Sequence, residues 1–212
     1  MGIEKIADGI EQAKLGYMEA VCERAERANA ELKAVKGDPS RTERWVRERI
    51  RGVAEAYEAE RARMAEEVLS ELKGLYSEGL EAAANVLSRQ PTAGESAYLQ
   101  AFMMKHRITE SDVEEAKIAL RGSAVASAAM FDRAAEKGIP CEGGAPGFIA
   151  VSAACSRCYD EDSYILPVFG AAKIEEFGSI CAFSCNTVQA ALRMRAISNE
   201  FTNYLRAVAA FE

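Results

Sequence analysis

The sequence is poor in residues on which several function classes depend. It contains one histidine, and no Glu-x-x-His pair of the kind that di-iron helical bundles require. Its 26 basic residues are outnumbered by 33 acidic ones, which gives a formal charge of −7. General binding to DNA or RNA needs a basic face for the phosphates, so this balance argues against it. No apolar run reaches the roughly 18 to 20 residues that a membrane-spanning helix needs.

The N-terminal residues also lack a targeting signal. The segment MGIEKIADGIEQ has neither the basic start nor the apolar centre of a secretion signal. The cytoplasm is therefore the simplest location. In that compartment the six cysteines are expected to stay reduced, as buried thiols, metal ligands or redox groups.

What is present favours a mainly all-α fold. Only five prolines and fifteen glycines interrupt a chain rich in alanine, glutamate, leucine and arginine. Residues 1–90 carry 33 charged side chains, whereas the remaining 122 residues carry 26. This shift predicts two domains, 1–90 and 91–212, with a boundary near residues 88–94.

Residues 1–90 show two apolar stripes at helical spacing. The first runs from Ile3 to Val35, and the second runs from Val46 to Leu87. Gly37 to Pro39 separate them, and Ser40 with Glu43 has the spacing of a capping box for the second helix. The short linker predicts a long antiparallel hairpin with a narrow, coiled-coil-like seam.

The second helix of this hairpin is longer than the first. If unbroken it spans about 45 residues, or close to 70 Å, although Gly74 and Gly79 make a kink or break plausible. The first helix covers only part of this length. We therefore expect the overhanging part to pack on the second region or on another chain.

The second region is predicted to be a smaller helical domain. Capping boxes at Thr92 with Glu95, at Ser111 with Glu114 and at Asn186 with Gln189 predict three helices. The second of these is predicted to be long and to end near Gly138, and the third to continue to Phe211. The stretch CEGGAPG at 141–147 is predicted to be a loop. Residues 148–185, in the cysteine-containing segment 141–185, fit either helix or short buried strands, because periodicity does not distinguish them.

Four cysteines form the pattern most typical of a metal site. Cys155 and Cys158 are followed by Cys181 and Cys185, and zinc prefers four thiolates in pairs two to four residues apart. A structural zinc site is one hypothesis. The flanking residues AVSAAC and ICAFSC are small and apolar, which favours the alternative of buried thiols. A redox pair at Cys155 and Cys158 is a third, weaker reading, since no βαβ pattern frames it.

Three other features have simple structural interpretations. His106 is predicted near the end of a helix, where the helix dipole favours a cation. Arg44, Arg47 and Arg51 share one helical face that could contact an acidic partner or nucleic acid, but interleaved glutamates indicate a solvated face. Trp45 is expected to pack at the hairpin turn.

The segment ITESDVEEAKIALRGSAVASAAMFDRAAEKGI, at 108–139, follows a charged helical hairpin. In this arrangement the chain resembles small helical proteins of the prophage gene module for virion structure and assembly. The resemblance implies an accessory or assembly role and no catalytic residues. The overhanging helix and the absence of a convincing catalytic constellation lead us to expect a non-enzymatic helical protein that self-associates or binds a protein partner and needs no cofactor. The alternative is a zinc-stabilised domain.

Overall fold

The computed structural model describes residues 2–139, 144–171 and 199–212. Within these residues the fold is all-α, as predicted, and contains no strand. The helices are α1 (Ile3–Lys36), α2 (Glu43–Leu87), α3 (Ala93–Met103), α4 (Glu110–Ala119), α5 (Ala124–Glu136), α6 (Phe148–Ile165) and α7 (Glu200–Ala209), with a 3₁₀ turn at Leu166–Val168 between α6 and α7. None of the helices in this part of the chain has the length and apolar character that a membrane crossing needs.

The chain folds into two compact units, each assembled from segments that are distant in the sequence. Of the described residues, unit 1 holds 2–10, 75–139, 144–158 and 199–212. Unit 2 holds 11–74 and 159–171. The division into domains 1–90 and 91–212 was derived from composition rather than from packing, and it stays a prediction.

Unit 2 contains the part of the predicted antiparallel hairpin that lies between residues 11 and 74. The end of α1 and the start of α2 share one apolar cluster, and farther from the turn the Arg24 Nε donates to the Glu60 Oε2 at 2.5 Å. The buried members of the cluster are Ala25, Ala28, Leu32, Val35, Ile50, Val53, Ala54 and Tyr57. These residues lie at the spacing of one helical face, so each helix buries one stripe against the other. A coiled-coil geometry for this packing stays a prediction.

In unit 1, α3, α4 and α5 form a small bundle around their own core. Its buried side chains are Phe102, Val113, Ala116, Leu120, Ala126, Met130 and Ala134. Burial of an aliphatic or aromatic side chain contributes about 1.5 to 3 kcal/mol. The larger of these side chains, Phe102, Val113, Leu120 and Met130, therefore make the main apolar contribution to the packing of the three helices.

The last part of α2 packs on α7 within unit 1. The Tyr76 and Phe201 rings stack with centroids 5.1 Å apart, and the Asn199 side-chain amide donates to the Tyr76 hydroxyl at 2.5 Å. A Cβ atom at Gly79 would lie 3.0 Å from Leu205. Gly79 thus permits close approach of α7 and does not break α2, which is uninterrupted from 43 to 87.

Several helix starts differ from the predicted ones. The Thr109 and Asp112 capping box opens α4, in place of Ser111 and Glu114. The predicted long helix is then interrupted at 120–123, where Ser123 caps α5. At α2 the Thr42 hydroxyl accepts from the Trp45 N–H at 3.3 Å, so the Ser40 and Glu43 capping box is wrong. The box at Thr92 and Glu95 is confirmed.

The C-terminal predictions are settled only in part. The stretch from Phe148 to Ile165 is helix, so the strand alternative does not hold for residues 148–171. Residues 172–185 lie outside the described residues, as do Asn186 and Gln189. A separate helix begins at Glu200 with Asn199 as its cap, so the predicted final helix does not run unbroken to Phe211.

Candidate interaction groove

Helix α5 is positioned by its N-cap and by its buried face. The Ser123 hydroxyl accepts from the Ala126 N–H at 3.2 Å, which satisfies one of the free amides at the helix start. Ala126, Met130 and Ala134 follow at helical spacing and are fully buried. The opposite face of α5 is consequently turned away from the bundle core.

This outward face forms one wall of a groove within unit 1. The groove has a volume of about 580 Å³. Its described lining residues are mostly small or apolar, and they come from the end of α2, from α5 and from the segment that leads into α6: Leu87, Ala124, Val125, Ala128, Ala129, Asp132, Ala145, Pro146, Gly147 and Phe148. Concave, mostly apolar surfaces of this size are typical binding sites.

Large apolar side chains are exposed in and beside the groove. Val125 and Phe148 are each 45% exposed, and the adjacent Ile149 is 85% exposed. Single exposed apolar residues are ordinary, whereas a group of them around a groove makes that groove a candidate interaction surface. This surface was not predicted from the sequence, because Phe148 lay in a segment of undecided structure.

The groove carries little charge. Asp132 is the charged member of its described lining, and Arg121 is exposed in the turn just before α5. Among the described ion pairs, neither side chain takes part. Nearby charges do pair with one another: Lys117 binds Glu114 at 2.7 Å, and Arg133 binds Glu136 at 2.9 Å.

A separate polar cluster lies in unit 2, where it fixes the turn after α6. The Tyr17 hydroxyl donates to the Leu166 carbonyl at 2.7 Å, the Tyr57 hydroxyl donates to the Gly170 carbonyl at 2.6 Å, and Arg61 donates to the Pro167 carbonyl. We call Tyr17, Tyr57 and Arg61 the carbonyl clamp. Burial raises the pKa of Tyr57 to about 12 and also raises that of Tyr17, so both hydroxyls remain protonated donors at neutral pH.

A buried ion pair accompanies the carbonyl clamp. The Lys14 Nζ lies 2.7 Å from the Asp162 Oδ2, with side-chain exposures of 2% and 11%. Such charges can remain buried only when they are paired, because removal from water costs several kcal/mol per ion. The pair therefore ties α6 to α1 inside unit 2.

The structure places two of the four cysteines predicted to bind zinc. Cys155 and Cys158 lie on α6 and are buried without a disulfide. The Cys155 thiol donates to the Tyr76 carbonyl at 3.7 Å. Cys181 and Cys185 lie outside the described residues, and no metal-binding group of His, Cys, Asp or Glu occurs in the part of the chain that the structure describes. The zinc hypothesis stays a prediction, which metal analysis of the purified protein would test.

One expectation about the cysteines is wrong. Cys22 on α1 is disulfide-bonded, whereas all six cysteines were expected to be reduced. The expectation relied on a cytoplasmic location inferred from the N-terminal residues. A location inferred in this way does not show which cysteines form a disulfide.

Thiol labelling should separate these cysteines. Burial, with a smaller effect of Cys158, raises the pKa of Cys155 to about 11. At pH 8 its thiolate fraction, and hence its rate of alkylation by iodoacetamide, should be about 100-fold below that of an unfolded cysteine. Cys22 should react only after reduction. Peptide mass spectrometry measures the labelling of Cys155 and Cys22, with the urea-unfolded protein as control. Rapid labelling of native Cys155 would contradict its burial.

The remaining sequence candidates are exposed. His106 lies in the loop between α3 and α4, three residues beyond the end of α3. Arg44 pairs with Glu48 at 2.9 Å and Arg47 with Glu43 at 2.5 Å, so this face is solvated and neutralised, as predicted. The Arg41 guanidinium lies 4.8 Å from the centre of the Trp45 ring, which places Trp45 at the hairpin turn.

Comparison with known proteins identifies no relative: the chain matches no protein family model, no curated protein and no solved structure.

Proposed function

We propose that this chain is a non-enzymatic helical interaction protein that self-associates through the groove on α5. The observation that carries the proposal is the exposure of Val125, Phe148 and Ile149 around a groove of about 580 Å³. Covering these side chains removes apolar area from water at about 25 cal/mol per Å², which favours association. An accessory or assembly role, as the resemblance to prophage proteins implies, would use such a surface.

The overhang of α2 packs on the second region of the same chain, which is the first of the two alternatives expected for it. Tyr76 and Gly79 are covered by α7 of the same chain. A second chain is therefore not needed to bury that part of α2. The proposal depends on the groove instead.

Size-exclusion chromatography with light scattering across the micromolar range tests self-association. We expect a mass above the 23.0 kDa of one chain. Val125→Lys places a charge in the groove, and burying an unpaired charge is costly, so the dissociation constant should rise at least about 10-fold.

Ile118→Lys is the matched control. Ile118 is also exposed, at 71%, but lies on α4 and is not part of the groove lining. This variant should associate as the wild type does, and circular dichroism should show that both variants keep their helices. A wild-type mass of one chain at every concentration would overturn self-association.

A further inference from the structure

The hairpin in unit 2 carries opposite charges at its turn and along its length. Residues 33–51, which we call the hairpin tip, contain seven basic and three acidic side chains. Residues 11–32 and 52–74, which we call the hairpin shaft, contain eleven acidic and six basic side chains. The tip and the shaft both belong to unit 2. This one unit therefore has a positive end and a negative remainder.

Arginines of the hairpin tip neutralise its three carboxylates. The pairs are Asp38 with Arg41 at 3.1 Å, Glu48 with Arg44 at 2.9 Å and Glu43 with Arg47 at 2.5 Å. Lys33, Arg49 and Arg51 are exposed as well, and they take part in none of the ion pairs found among the described residues. The positive charge of these three side chains is therefore available to a partner.

The hairpin shaft has carboxylates that match them. Glu55 and Glu66 are exposed on α2 and are likewise outside the ion pairs of the described residues. They follow Arg51 by four and by fifteen residues, which are close to whole numbers of turns in a helix that is uninterrupted from 43 to 87. All three residues therefore lie on one side of α2, and the Glu66 end of that side is about 22 Å from the Arg51 end.

We infer that the hairpin tip binds the hairpin shaft of a second copy, with the two hairpins antiparallel. This contact is separate from the groove on α5 and adds a contact between charges to the proposed self-association. Opposite directions place each tip beside the shaft of the other copy, so the attraction occurs twice. A parallel pair would instead place tip beside tip and shaft beside shaft, where like charges repel.

The side of α2 that carries these charges also permits close approach. Ala59 and Ala62 are exposed between Arg51 and Glu66. Helices pack with axes about 8 to 10 Å apart, and small side chains at the contact allow the shorter distance. Charged side chains at the two ends of the contact can then reach across to the other copy.

The charge of the remaining chain favours a second copy over a nucleic acid as the partner. Outside the hairpin tip the chain carries 30 acidic and 19 basic residues. This excess repels a nucleic acid strand that extends beyond the tip. A second copy instead supplies carboxylates to the tip of the first copy and receives carboxylates at its own tip.

Sedimentation equilibrium of the full chain carrying Val125→Lys tests the contact, because this substitution weakens the separate contact through the groove. We expect association at about 50 mM NaCl and a dissociation constant at least about 10-fold higher at about 500 mM NaCl. Adding Arg49→Glu with Arg51→Glu should raise the dissociation constant at least about 10-fold at the lower salt concentration.

Two further variants of the same chain make the test specific to the tip and the shaft. Lys5→Glu with Lys137→Glu changes the formal charge by the same amount at exposed positions of unit 1, and the dissociation constant should stay within about 3-fold. Glu55→Lys with Glu66→Lys reverses the shaft and should weaken association as the tip variant does. A mixture of the tip and shaft variants should form a heterodimer, since each tip then faces a shaft of opposite charge.

Association that is insensitive to salt or to the tip variant would overturn this contact, as would an equal loss in the unit 1 variant or no heterodimer on mixing. Binding of a labelled single-stranded oligonucleotide through Arg49 and Arg51, without association of the protein, would overturn it in favour of a nucleic acid. Circular dichroism should show that every variant keeps its helices. Equal association of wild type and Val125→Lys at low salt, lost for both at high salt, would overturn the groove contact alone and support the contact between tip and shaft.

Discussion

Replacing Gly170 with alanine is expected to lower the free energy of unfolding by about 2 to 5 kcal/mol. Gly170 has φ +70°, a left-handed conformation that costs an L-residue about 1 to 2 kcal/mol. An added Cβ would also overlap Val21 and approach the Tyr57 hydroxyl to 3.0 Å, and overpacking of this kind costs about 1 to 3 kcal/mol. In the Gly170→Ala variant the added methyl group should displace Tyr57 of the carbonyl clamp from the turn.

Gly138→Ala separates the two causes of this loss. Gly138 has φ +76° but nothing within 4 Å of its Cβ position, so only the backbone cost of about 1 to 2 kcal/mol applies. Urea unfolding followed by circular dichroism measures both variants. Equal losses for the two would show that Gly170 is not crowded by Val21 and Tyr57.

Replacing Lys14 with methionine is expected to lower the free energy of unfolding by about 3 to 5 kcal/mol. Methionine keeps most of the apolar stem but removes the ammonium group, which lies 2.7 Å from the Asp162 carboxylate. The carboxylate is then left with little water and without its charged partner. The loss arises from removing the cation beside this buried carboxylate and not from any large net stability of the pair.

Two further variants test whether the loss of stability comes from the buried charge of Asp162. Arg63→Met removes the cation of the Arg63 and Glu67 pair, in which both side chains are 61% exposed, and it should cost no more than about 1 kcal/mol. The double variant Lys14→Met with Asp162→Leu should recover most of the lost stability, because an apolar pair can replace a buried ion pair. A small loss for Lys14→Met alone would show that Asp162 gains water or another cation.

The hairpin was predictable because its cause is local. The stripes at 3–35 and 46–87 repeat at the helical period, and a short linker leaves few arrangements other than an antiparallel pair. Exact helix starts were less predictable. Thr42 caps α2 and Thr109 caps α4, although Ser40 and Ser111 nearby also satisfy the capping pattern.

Which of two neighbouring residues caps a helix depends on where the backbone turns into the helix. The residue type at a single position does not show where that turn occurs. The Ser40 hydroxyl donates instead to Asp38 within the linker, at 2.6 Å. The interruption at 120–123 was missed for a related reason. Leu120 and Ala124 continue the helical period, so the apolar pattern gives no sign that the chain turns between them.

The groove and the carbonyl clamp were not predictable in the same way. The groove joins Leu87, the outward side of α5 and Phe148, which are far apart in the sequence. The carbonyl clamp joins Tyr57 to Gly170 across 113 positions, and its acceptors are backbone oxygens that every residue type possesses. Sequence patterns instead drew attention to cysteines and to His106, whose residue types are typical of active sites whatever their surroundings.

The carbonyl clamp also sets which substitutions this chain can tolerate. Its hydrogen bonds reach the main chain of residues 166–170, so they do not select the side chains there. Positions 167 and 168 can therefore accept other residue types, and Val168 is already half exposed. Leu166 and Phe169 must stay apolar because both are buried, and position 170 must stay glycine. Selection would thus preserve the path of the turn more strictly than its composition.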